Sequence, residues 1–327
     1  MIRVGVVGVG NMGFHHARIY SQLAENGLVE LVGVADINYE RVLSVAKTFK
    51  TKAFKDYREL LELVDAVSIA TPTETHRDIA LEFINAGKHV LVEKPIASNV
   101  KEALELVKKA EENHVILMVG HVERYNPAVV KLREIIRNGL LGKPVTVTAK
   151  RVGPFNPRVA KTSVIVDLAI HDIDVINSLL DSHVLSVYAR SRRVHPNSLE
   201  DDYGLIILSY ENQVEAVVET NRLTPYKVRS LEVVGTKGIV ILNYIEQKIT
   251  MYDGEWIREA IIQREEPLKL ELLNFIRVLQ GVDKPVITKE QAVYALLVSE
   301  AALESSRRNK LVLIRDFIAE RGYEITM

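Results

Sequence analysis

The stretch that decides the fold is Ile2-Arg3-Val4-Gly5-Val6-Val7-Gly8-Val9-Gly10-Asn11-Met12-Gly13. A short β-branched run leads directly into three glycines spaced G-x-G-x-x-G, and an amphipathic stretch follows. A glycine-rich turn between a buried strand and a helix is typical of dinucleotide binding, because the amides at the start of the helix and its dipole attract phosphates. The same spacing also occurs by chance in loops, so the surrounding residues decide the interpretation.

Each residue of the turn has a physical role in that interpretation. Gly8 permits the tight turn, Gly10 lets the backbone approach the pyrophosphate, and Gly13 lets strand and helix pack closely. Asn11 and Met12 lie between these glycines at the predicted start of the helix, so we count them as cofactor contacts as well.

An acidic residue follows at the position that such a site requires. Asp36 comes directly after the second predicted strand, where its carboxylate would accept hydrogen bonds from the ribose hydroxyls of the adenosine. A carboxylate repels a 2′-phosphate, so the sequence favours NAD over NADP, and Arg41 is near enough in sequence to soften that preference. The competing interpretation is a glycine turn with an incidental acid.

From residue 2 to about residue 120, short apolar runs alternate with amphipathic stretches. The predicted strands are almost continuously apolar, as expected of strands buried on both faces of a parallel sheet, and they are 2–7, 30–35, 66–70, 89–92 and 115–119. The predicted helices are 12–24, 39–49, 74–86 and 100–113. This alternation predicts an α/β domain with a doubly wound parallel sheet over residues 1–120.

After residue 120 the pattern changes to strands of period two. The predicted strands are 145–150, 183–194, 203–210, 214–221, 228–234, 238–243 and 248–252, and the predicted helices are 127–137, 171–180, 268–280 and 289–308. Turns such as Asp253-Gly254 suit antiparallel hairpins. Residues 121–327 are therefore expected to form a C-terminal α+β domain with an open, mostly antiparallel sheet.

Composition excludes several classes of protein. The 327 residues are 47% hydrophobic and 26% charged, with a net charge of −1, so no field favours nucleic acid or an anionic membrane. There are no cysteines, which removes disulfides, thiol nucleophiles and iron–sulfur clusters. Since no apolar stretch reaches the roughly 18 residues that a membrane span needs, we expect a soluble, cytoplasmic protein.

A lysine marks the predicted active cleft. Glu93-Lys94-Pro95 follows the strand 89–92, and ligands of open α/β sheets bind beyond the carboxyl ends of the strands. An ammonium beside a nicotinamide would hold a substrate hydroxyl and lower its pKa, and Pro95 makes a cis peptide possible. The competing interpretation is a strand-end lysine that extends into solvent.

A carboxylate and a histidine follow in the second domain. Asp167 and His171 are spaced i, i+4, so a helix would place both on one face. The histidine could accept the proton as hydride leaves carbon, while the carboxylate orients the ring or binds the substrate. The competing interpretation is a capping aspartate and a surface histidine, and Asp172 and Asp174 are expected to be solvated.

A metal site is the other interpretation of these side chains. The candidate ligands His121, Glu123, His171 and Asp172 lack the close spacing of most metal sites, and hydride transfer to NAD needs no metal. We therefore expect none.

In this order, these features resemble the Gfo/Idh/MocA family of sugar oxidoreductases over essentially the whole chain. The resemblance is carried by residues 8–13, by Ala70-Thr71-Pro72-Thr73-Glu74-Thr75-His76, by Glu93-Lys94-Pro95, and by Asp167 with His171. It implies an N-terminal Rossmann domain, NAD as the cofactor, and a C-terminal domain whose open sheet forms homodimers or homotetramers.

The resemblance also implies roles for residues. Lys94 would position and polarise the reacting hydroxyl, His171 would be the general base, and Asp167 would support the site. Further residues would line the cofactor cleft, namely Thr71, Pro72, His76 and Glu93 together with Lys94.

Two further stretches, 120–127 and 151–158, resemble family members that oxidise UDP-N-acetylglucosamine at C3 and whose keto product passes to an aminotransferase. The implied substrate contacts are Arg124, Tyr125, Asn126, Arg151, Arg158 and His171, with the arginines pairing with a diphosphate. The competing interpretation is that the arginines are surface charges and that Asn126-Pro127 starts a helix. Lys161-Thr162-Ser163 and Ala169 stand where many members carry glycines, which leaves the shape of the pocket open.

Three functions follow as hypotheses. The first is NAD-dependent oxidation of a nucleotide-sugar hydroxyl, and the second is oxidation of a free polyol or sugar such as inositol. The third, from another class, is a non-catalytic NAD-binding regulator, against which Lys94, Asp167 and His171 argue because a sensor needs no proton acceptor.

Overall fold

The computed structural model describes residues 1–157 and 161–325, and the chain forms two compact units. The first contains Met1–Val122 and Glu266–Val293. The second contains Glu123–Glu265 and continues from Tyr294 to the end of the described chain.

The first unit is built on a six-stranded parallel sheet. Its strands are β1 (Ile2–Val7), β2 (Val29–Ala35), β3 (Lys52–Phe54), β4 (Ala66–Ile69), β5 (His89–Glu93) and β6 (Leu117–Gly120). Their order across the sheet is β3-β2-β1-β4-β5-β6, the doubly wound arrangement in which the order reverses next to β1. The first four helices, which alternate with these strands, are α1 (Asn11–Glu25), α2 (Tyr39–Phe49), α3 (His76–Asn85) and α4 (Val100–Glu112).

A helix from far along the chain completes this unit. Helix α7 (Pro267–Leu279) packs against α1, and its apolar residues Leu268, Leu272 and Phe275 join the core formed by β1 and α1. The sequence placed this segment in the second domain because it follows the last strand of that domain. Its position depends on packing against α1, which is distant in sequence, and neither hydrophobic periodicity nor helix propensity reveals such a partner.

The second unit is built on a nine-stranded sheet. Its strands are β7 (Pro144–Val152), β8 (Val184–Arg192), β9 (Tyr203–Tyr210), β10 (Glu215–Asn221), β11 (Val228–Gly235), β12 (Gly238–Asn243), β13 (Lys248–Tyr252), β14 (Ile257–Glu259) and β15 (Val312–Leu313). The order is β14-β13-β12-β11-β7-β10-β9-β8-β15, and all neighbours are antiparallel except β7 and β10.

Helices cover one face of this sheet. α5 (Pro127–Arg137) packs on β12 and β13, and α6 (Ile170–Leu180) packs on β7 and β10. Two more helices follow, α8 (Lys289–Arg308), which begins in the first unit, and α9 (Ile314–Arg321). Within the described residues, no helix combines the length and the apolar character that crossing a membrane requires.

The two predicted sheet types are confirmed, and the long periodic segments have the expected bounds, including α2, α5, α8, β9, β12 and β13. The predictions missed β3, β14, β15 and α9. The missed strands have two or three residues each, too short for a period of two to be recognised, and they are held by pairing with longer neighbours.

Candidate active site

The glycine turn between β1 and α1 has the geometry that the sequence predicted. Gly8 has φ +81°, and its N–H donates to the carbonyl oxygen of Ala35 at 2.8 Å. A Cβ at Gly8 would lie 2.7 Å from Cγ2 of Thr71, and a Cβ at Gly13 would overlap the carbonyl oxygen of Gly8. Only glycine fits these two positions: Gly8 because of its positive φ, and Gly13 because of its close packing against the backbone.

Gly10, the remaining glycine of the turn, has open space on the side where a side chain would lie. A Cβ at Gly10 would meet no atom within 4 Å. Gly10 also precedes the first residue of α1, and no side chain caps the helix there. An open approach to an uncapped helix N-terminus fits a pyrophosphate, which would accept hydrogen bonds from the first amides and interact with the helix dipole.

The predicted ribose acid lies beside this turn. Oδ2 of Asp36 accepts a hydrogen bond from the N–H of Val9 at 2.9 Å, and Oδ1 accepts one from Asn38 at 2.8 Å. The guanidinium of Arg41, which is half exposed, lies 3.6 Å from the same Oδ2. The carboxylate is therefore oriented towards the turn, and a cation stands next to it as the sequence expected.

In the segment after β4, the ring of His76 forms hydrogen bonds to two backbone carbonyl groups. Nε2 of His76 lies 2.9 Å from the carbonyl oxygen of Thr71, and Nδ1 lies 2.9 Å from that of Pro95. Burial lowers the pKa of His76, although these two hydrogen bonds oppose the shift, so the ring ties Thr71 to the Pro95 loop as a structural link. The contacts of His76, Thr71 and the exposed Pro72 with the cofactor stay predictions.

Lys94 lies one residue beyond β5, at the carboxyl edge of the sheet, and is partly buried. Its N–H donates to Oε2 of Glu93 at 3.2 Å. The Lys94–Pro95 peptide is cis, as the sequence allowed. Glu93 itself is buried and hydrogen-bonded to His16, so its carboxylate is engaged in the interior of the unit. Its contact with the cofactor stays a prediction.

In the second unit, Asp167 and His171 lie on one continuous helical segment. Asp167 is in a π-helical turn, Ile165–Ala169, and His171 is the second residue of α6. Single π turns are rare and occur often at functional sites. Oδ2 of Asp167 accepts a hydrogen bond from Arg222 at 2.6 Å, and Arg222 also donates to the carbonyl oxygen of Thr162 at 2.8 Å. The sequence did not single out Arg222.

Two of the three arginines expected to bind a diphosphate, Arg151 and Arg124, form ion pairs inside the second unit. The side chain of Arg151 is 3% exposed and makes a bidentate pair with Asp172, at 2.6 and 3.1 Å. Glu123 accepts from the same guanidinium at 3.0 Å. Burial by itself would lower the pKa of Arg151, but the charges of Asp172 and Glu123 outweigh it and raise the pKa.

Arg124 is equally buried and donates to Asp174 at 2.8 Å. These pairs show that the two guanidinium groups are not the surface charges of the competing interpretation, and the prediction that Asp172 and Asp174 are solvated is wrong. The contact of the two arginines with a diphosphate stays a prediction. A buried guanidinium requires an anionic partner, which the low-dielectric interior makes part of the fold.

The neighbouring substrate predictions also fall on structural side chains. Asn126 is buried and caps α5, with Oδ1 accepting from Ala128 at 3.1 Å and Nδ2 donating to the carbonyl oxygen of Tyr244 at 3.1 Å. This is the alternative in which Asn126-Pro127 starts a helix. Tyr125 is buried as well, and Arg158 lies outside the described residues.

The sequence also missed a buried cluster in the first unit, formed by His16, Glu93 and Glu271. A signal was present, because Glu271 stands between Leu268 and Leu272 on the apolar face of α7. A charged residue at a core position of an amphipathic helix is unusual unless it has a partner.

The glycine turn yields a paired prediction. We expect Gly13→Ala to lower the melting temperature of the protein, because its Cβ overlaps the carbonyl oxygen of Gly8. Gly10→Ala should leave the melting temperature nearly unchanged, since its Cβ meets nothing, yet weaken NAD binding by about tenfold or more, which corresponds to about 1.4 kcal/mol. Thermal unfolding and NAD titration measure the two effects, and equal stability losses in both variants would contradict the assignment.

Comparisons with known proteins agree with this geometry. A family model described as oxidoreductase family, NAD-binding Rossmann fold, matches residues 2–121, and one for the GFO/IDH/MocA C-terminal domain matches residues 129–241. UDP-N-acetylglucosamine 3-dehydrogenase of Acidithiobacillus ferrooxidans is 33% identical over 251 residues, 77% of each chain. The scyllo-inositol 2-dehydrogenase (NAD(+)) of Bacillus subtilis is 29% identical over 325 residues, 94% of each chain.

A solved structure of the Acidithiobacillus ferrooxidans enzyme superposes with a TM-score of 0.86 at 27% identity, covering 94% of this chain and 98% of that one. The first unit is thus an NAD-binding Rossmann domain, and the two relatives named above are dehydrogenases. The chain therefore belongs to the Gfo/Idh/MocA family of NAD-dependent oxidoreductases and is a dehydrogenase that acts on CH–OH groups.

Proposed function

We propose that this dehydrogenase oxidises a sugar hydroxyl to a ketone, at C3 of UDP-N-acetylglucosamine or a related UDP-sugar. The observation that carries the proposal is the likeness to a UDP-N-acetylglucosamine 3-dehydrogenase both in sequence, at 33% identity, and in fold, at a TM-score of 0.86. The keto product would be a substrate for an aminotransferase, and the absence of cysteines suits a reducing cytoplasm.

The chemistry divides among three side chains. NAD⁺, which the glycine turn from Gly8 to Gly13 and the carboxylate of Asp36 would hold, would supply the acceptor for the hydride of the sugar carbon. The ammonium of Lys94 holds the hydroxyl oxygen and stabilises the negative charge that develops on it. His171 accepts the hydroxyl proton as the carbonyl forms, so that the alcohol loses one hydride and one proton in total.

Asp167 supports this arrangement by holding charge near the base. Its carboxylate is fixed by Arg222 at 2.6 Å, and Arg222 is in turn fixed by the carbonyl oxygen of Thr162. A carboxylate that is already oriented needs no reorganisation when His171 becomes positively charged.

A second candidate substrate is a free polyol such as inositol. The specific observation in its favour is that two arginines expected to bind a diphosphate form buried ion pairs. Arg124 pairs with Asp174, and Arg151 pairs with Asp172 and Glu123. A polyol carries no diphosphate and needs no cation beyond the catalytic lysine. The scyllo-inositol 2-dehydrogenase relative also covers nearly the whole chain.

A substrate screen separates the two candidates. We expect UDP-N-acetylglucosamine with NAD⁺ to give faster NADH formation, as kcat/KM, than myo- or scyllo-inositol with NAD⁺. NADP⁺ in place of NAD⁺ should lower kcat/KM, because Asp36 repels a 2′-phosphate. A higher kcat/KM with inositol would contradict the nucleotide-sugar proposal and leave the oxidation itself intact.

Replacing the lysine tests the mechanism. We expect Lys94→Ala to lower kcat about 100-fold or more while NAD affinity stays close to that of the native protein, because one charge-stabilising donor is removed. Lys101→Ala, an exposed lysine on α4, is the matched control and should leave kcat unchanged. Unchanged turnover in the Lys94 variant would refute the role assigned to this lysine, whereas no turnover of any sugar by the native protein would favour a protein that binds NAD without catalysis.

We also propose that a second copy of the chain covers the outer face of the second sheet. Ile207, Ile239, Ile241 and Tyr252 are exposed on that face, and Ile239 pairs directly with Tyr252 across β12 and β13. Exposed apolar side chains on an open sheet are typical of an interface.

A mass measurement tests this assembly. We expect light scattering on the eluting protein to give at least twice the chain mass of 36.8 kDa. Ile239→Lys with Ile241→Lys should lower that mass, since the charges would face a second apolar surface. A monomeric native protein would contradict the proposal.

A further inference from the structure

Three ionisable side chains meet in the core of the first unit, and the proposed reaction uses none of them. His16 is on α1, Glu93 ends β5, and Glu271 is in the middle of α7. Their relative exposures are 0%, 7% and 0%. One polar side-chain atom of each lies within 4.8 Å of the other two. We refer to these three residues as the acid–histidine cluster.

Glu93 is the member with firm partners. Nε2 of His16 donates to Oε1 of Glu93 at 3.0 Å, and the N–H of Lys94 donates to Oε2 at 3.2 Å. On the neighbouring strand, Gly120 pairs with Glu93, and a Cβ there would lie 3.2 Å from the carboxyl carbon. The carboxylate is thus confined, and it links α1 to the backbone of Lys94.

Glu271 is in the opposite situation. Among the described residues, no N–H or hydroxyl group donates to either of its carboxyl oxygens, although the side chain is fully buried. An ionised carboxylate without donors is the least favourable form of such a group, whereas a neutral acid loses little on burial. Two carboxyls that share one buried site rarely both ionise.

The surroundings assign the charge to Glu93. Burial and the charge of Glu93 raise the pKa of Glu271 well above its ordinary value. Burial would also raise the pKa of Glu93, but the hydrogen bond from His16 and the charges of His16 and Lys94 outweigh it and lower the pKa. Tyr20, one turn after His16, bonds to Ser68 of β4, and burial raises its pKa, so it stays neutral.

We propose that Glu271 is a neutral carboxylic acid in the folded protein and a positioning residue, whose O–H is the donor that keeps the ionised Glu93 in place behind Lys94. The carboxylate of Glu93 accepts a hydrogen bond from the N–H of Lys94. Glu271 contributes to the cluster from α7 without adding a second negative charge. The positioning part rests on the role proposed above for Lys94. The protonation of Glu271 is independent of it.

The first experiment measures thermal unfolding of the full chain between about pH 5.5 and about pH 8.5 for the native protein, Glu271→Gln and Glu266→Gln. The unfolded chain releases the Glu271 proton near the ordinary value of 4.5, while the folded protein retains it. The native protein therefore loses stability as the pH rises towards the raised folded pKa. Gln mimics the neutral acid and has no proton to lose.

We expect the melting temperature of Glu271→Gln, relative to the native protein, to rise with pH by about 2–4 °C or more over that range. Glu266→Gln, the same change at an exposed position of the same segment, should show a flat difference. A Glu271→Gln variant that is increasingly destabilised with rising pH would show that Glu271 is ionised and would overturn the proposal. So would one equivalent of a divalent metal in the native protein that is lost in the variant.

A second measurement does not depend on the variant folding. Infrared spectra of the native protein should contain the carbonyl band of a protonated carboxyl at neutral pH, where exposed carboxylates show none. The absence of that band would overturn the proposal.

The positioning role has its own test. Glu271→Leu places an apolar side chain at this position and removes the donor. Hydrogen exchange in the peptide that contains Lys94 should therefore be faster than in Glu271→Gln, and kcat should fall while KM for NAD stays unchanged. Unchanged exchange would refute the positioning role. Faster exchange with unaffected turnover would instead point to a failure of the role proposed for Lys94.

Discussion

The contact between Gly13 and the carbonyl oxygen of Gly8 leaves no room for even a methyl group. This contact joins the end of β1 to the first turn of α1, and it brings the helix N-terminus to the carboxyl edge of the sheet. The position of Gly10, the orientation of Asp36 towards Val9 and the packing of Thr71 over Gly8 all depend on it. A phosphate site made of backbone amides can exist only where the backbone itself is exposed in this way.

Buried charge organises both units, with different consequences. In the second unit, Arg124 and Arg151 meet aspartates on α6, so that the helix is tied to its sheet and to the segment before α5. Removing one partner of such a pair costs about 3–5 kcal/mol, because the other charge is left buried and alone. In the first unit, by contrast, we propose that Glu271 is buried as a neutral acid, because a buried carboxyl without a cation is more stable in its neutral form.

Much of this architecture was predictable because the long elements carry strong periodic signals. The helix Tyr39–Phe49 and the strands Tyr203–Tyr210 and Gly238–Asn243 were predicted with their observed bounds. The glycine turn and the position of Asp36 were predictable for a different reason, since each is a local requirement of the backbone or of the ligand. Pro95 made a cis peptide possible without requiring one. Short strands such as Val312–Leu313 were not, since their neighbours hold them in place.

The sequence by itself determined the class of each sheet, the cofactor turn and the positions of Lys94, Asp167 and His171 along the chain. Only the tertiary structure decided that α7 completes the first unit, that Arg222 holds Asp167, and that Arg124 and Arg151 face aspartates. The physical reason is range. Turn geometry and periodicity act between neighbours in sequence, whereas the partner of a buried charge is chosen by whichever distant segment the packing brings within hydrogen-bonding distance.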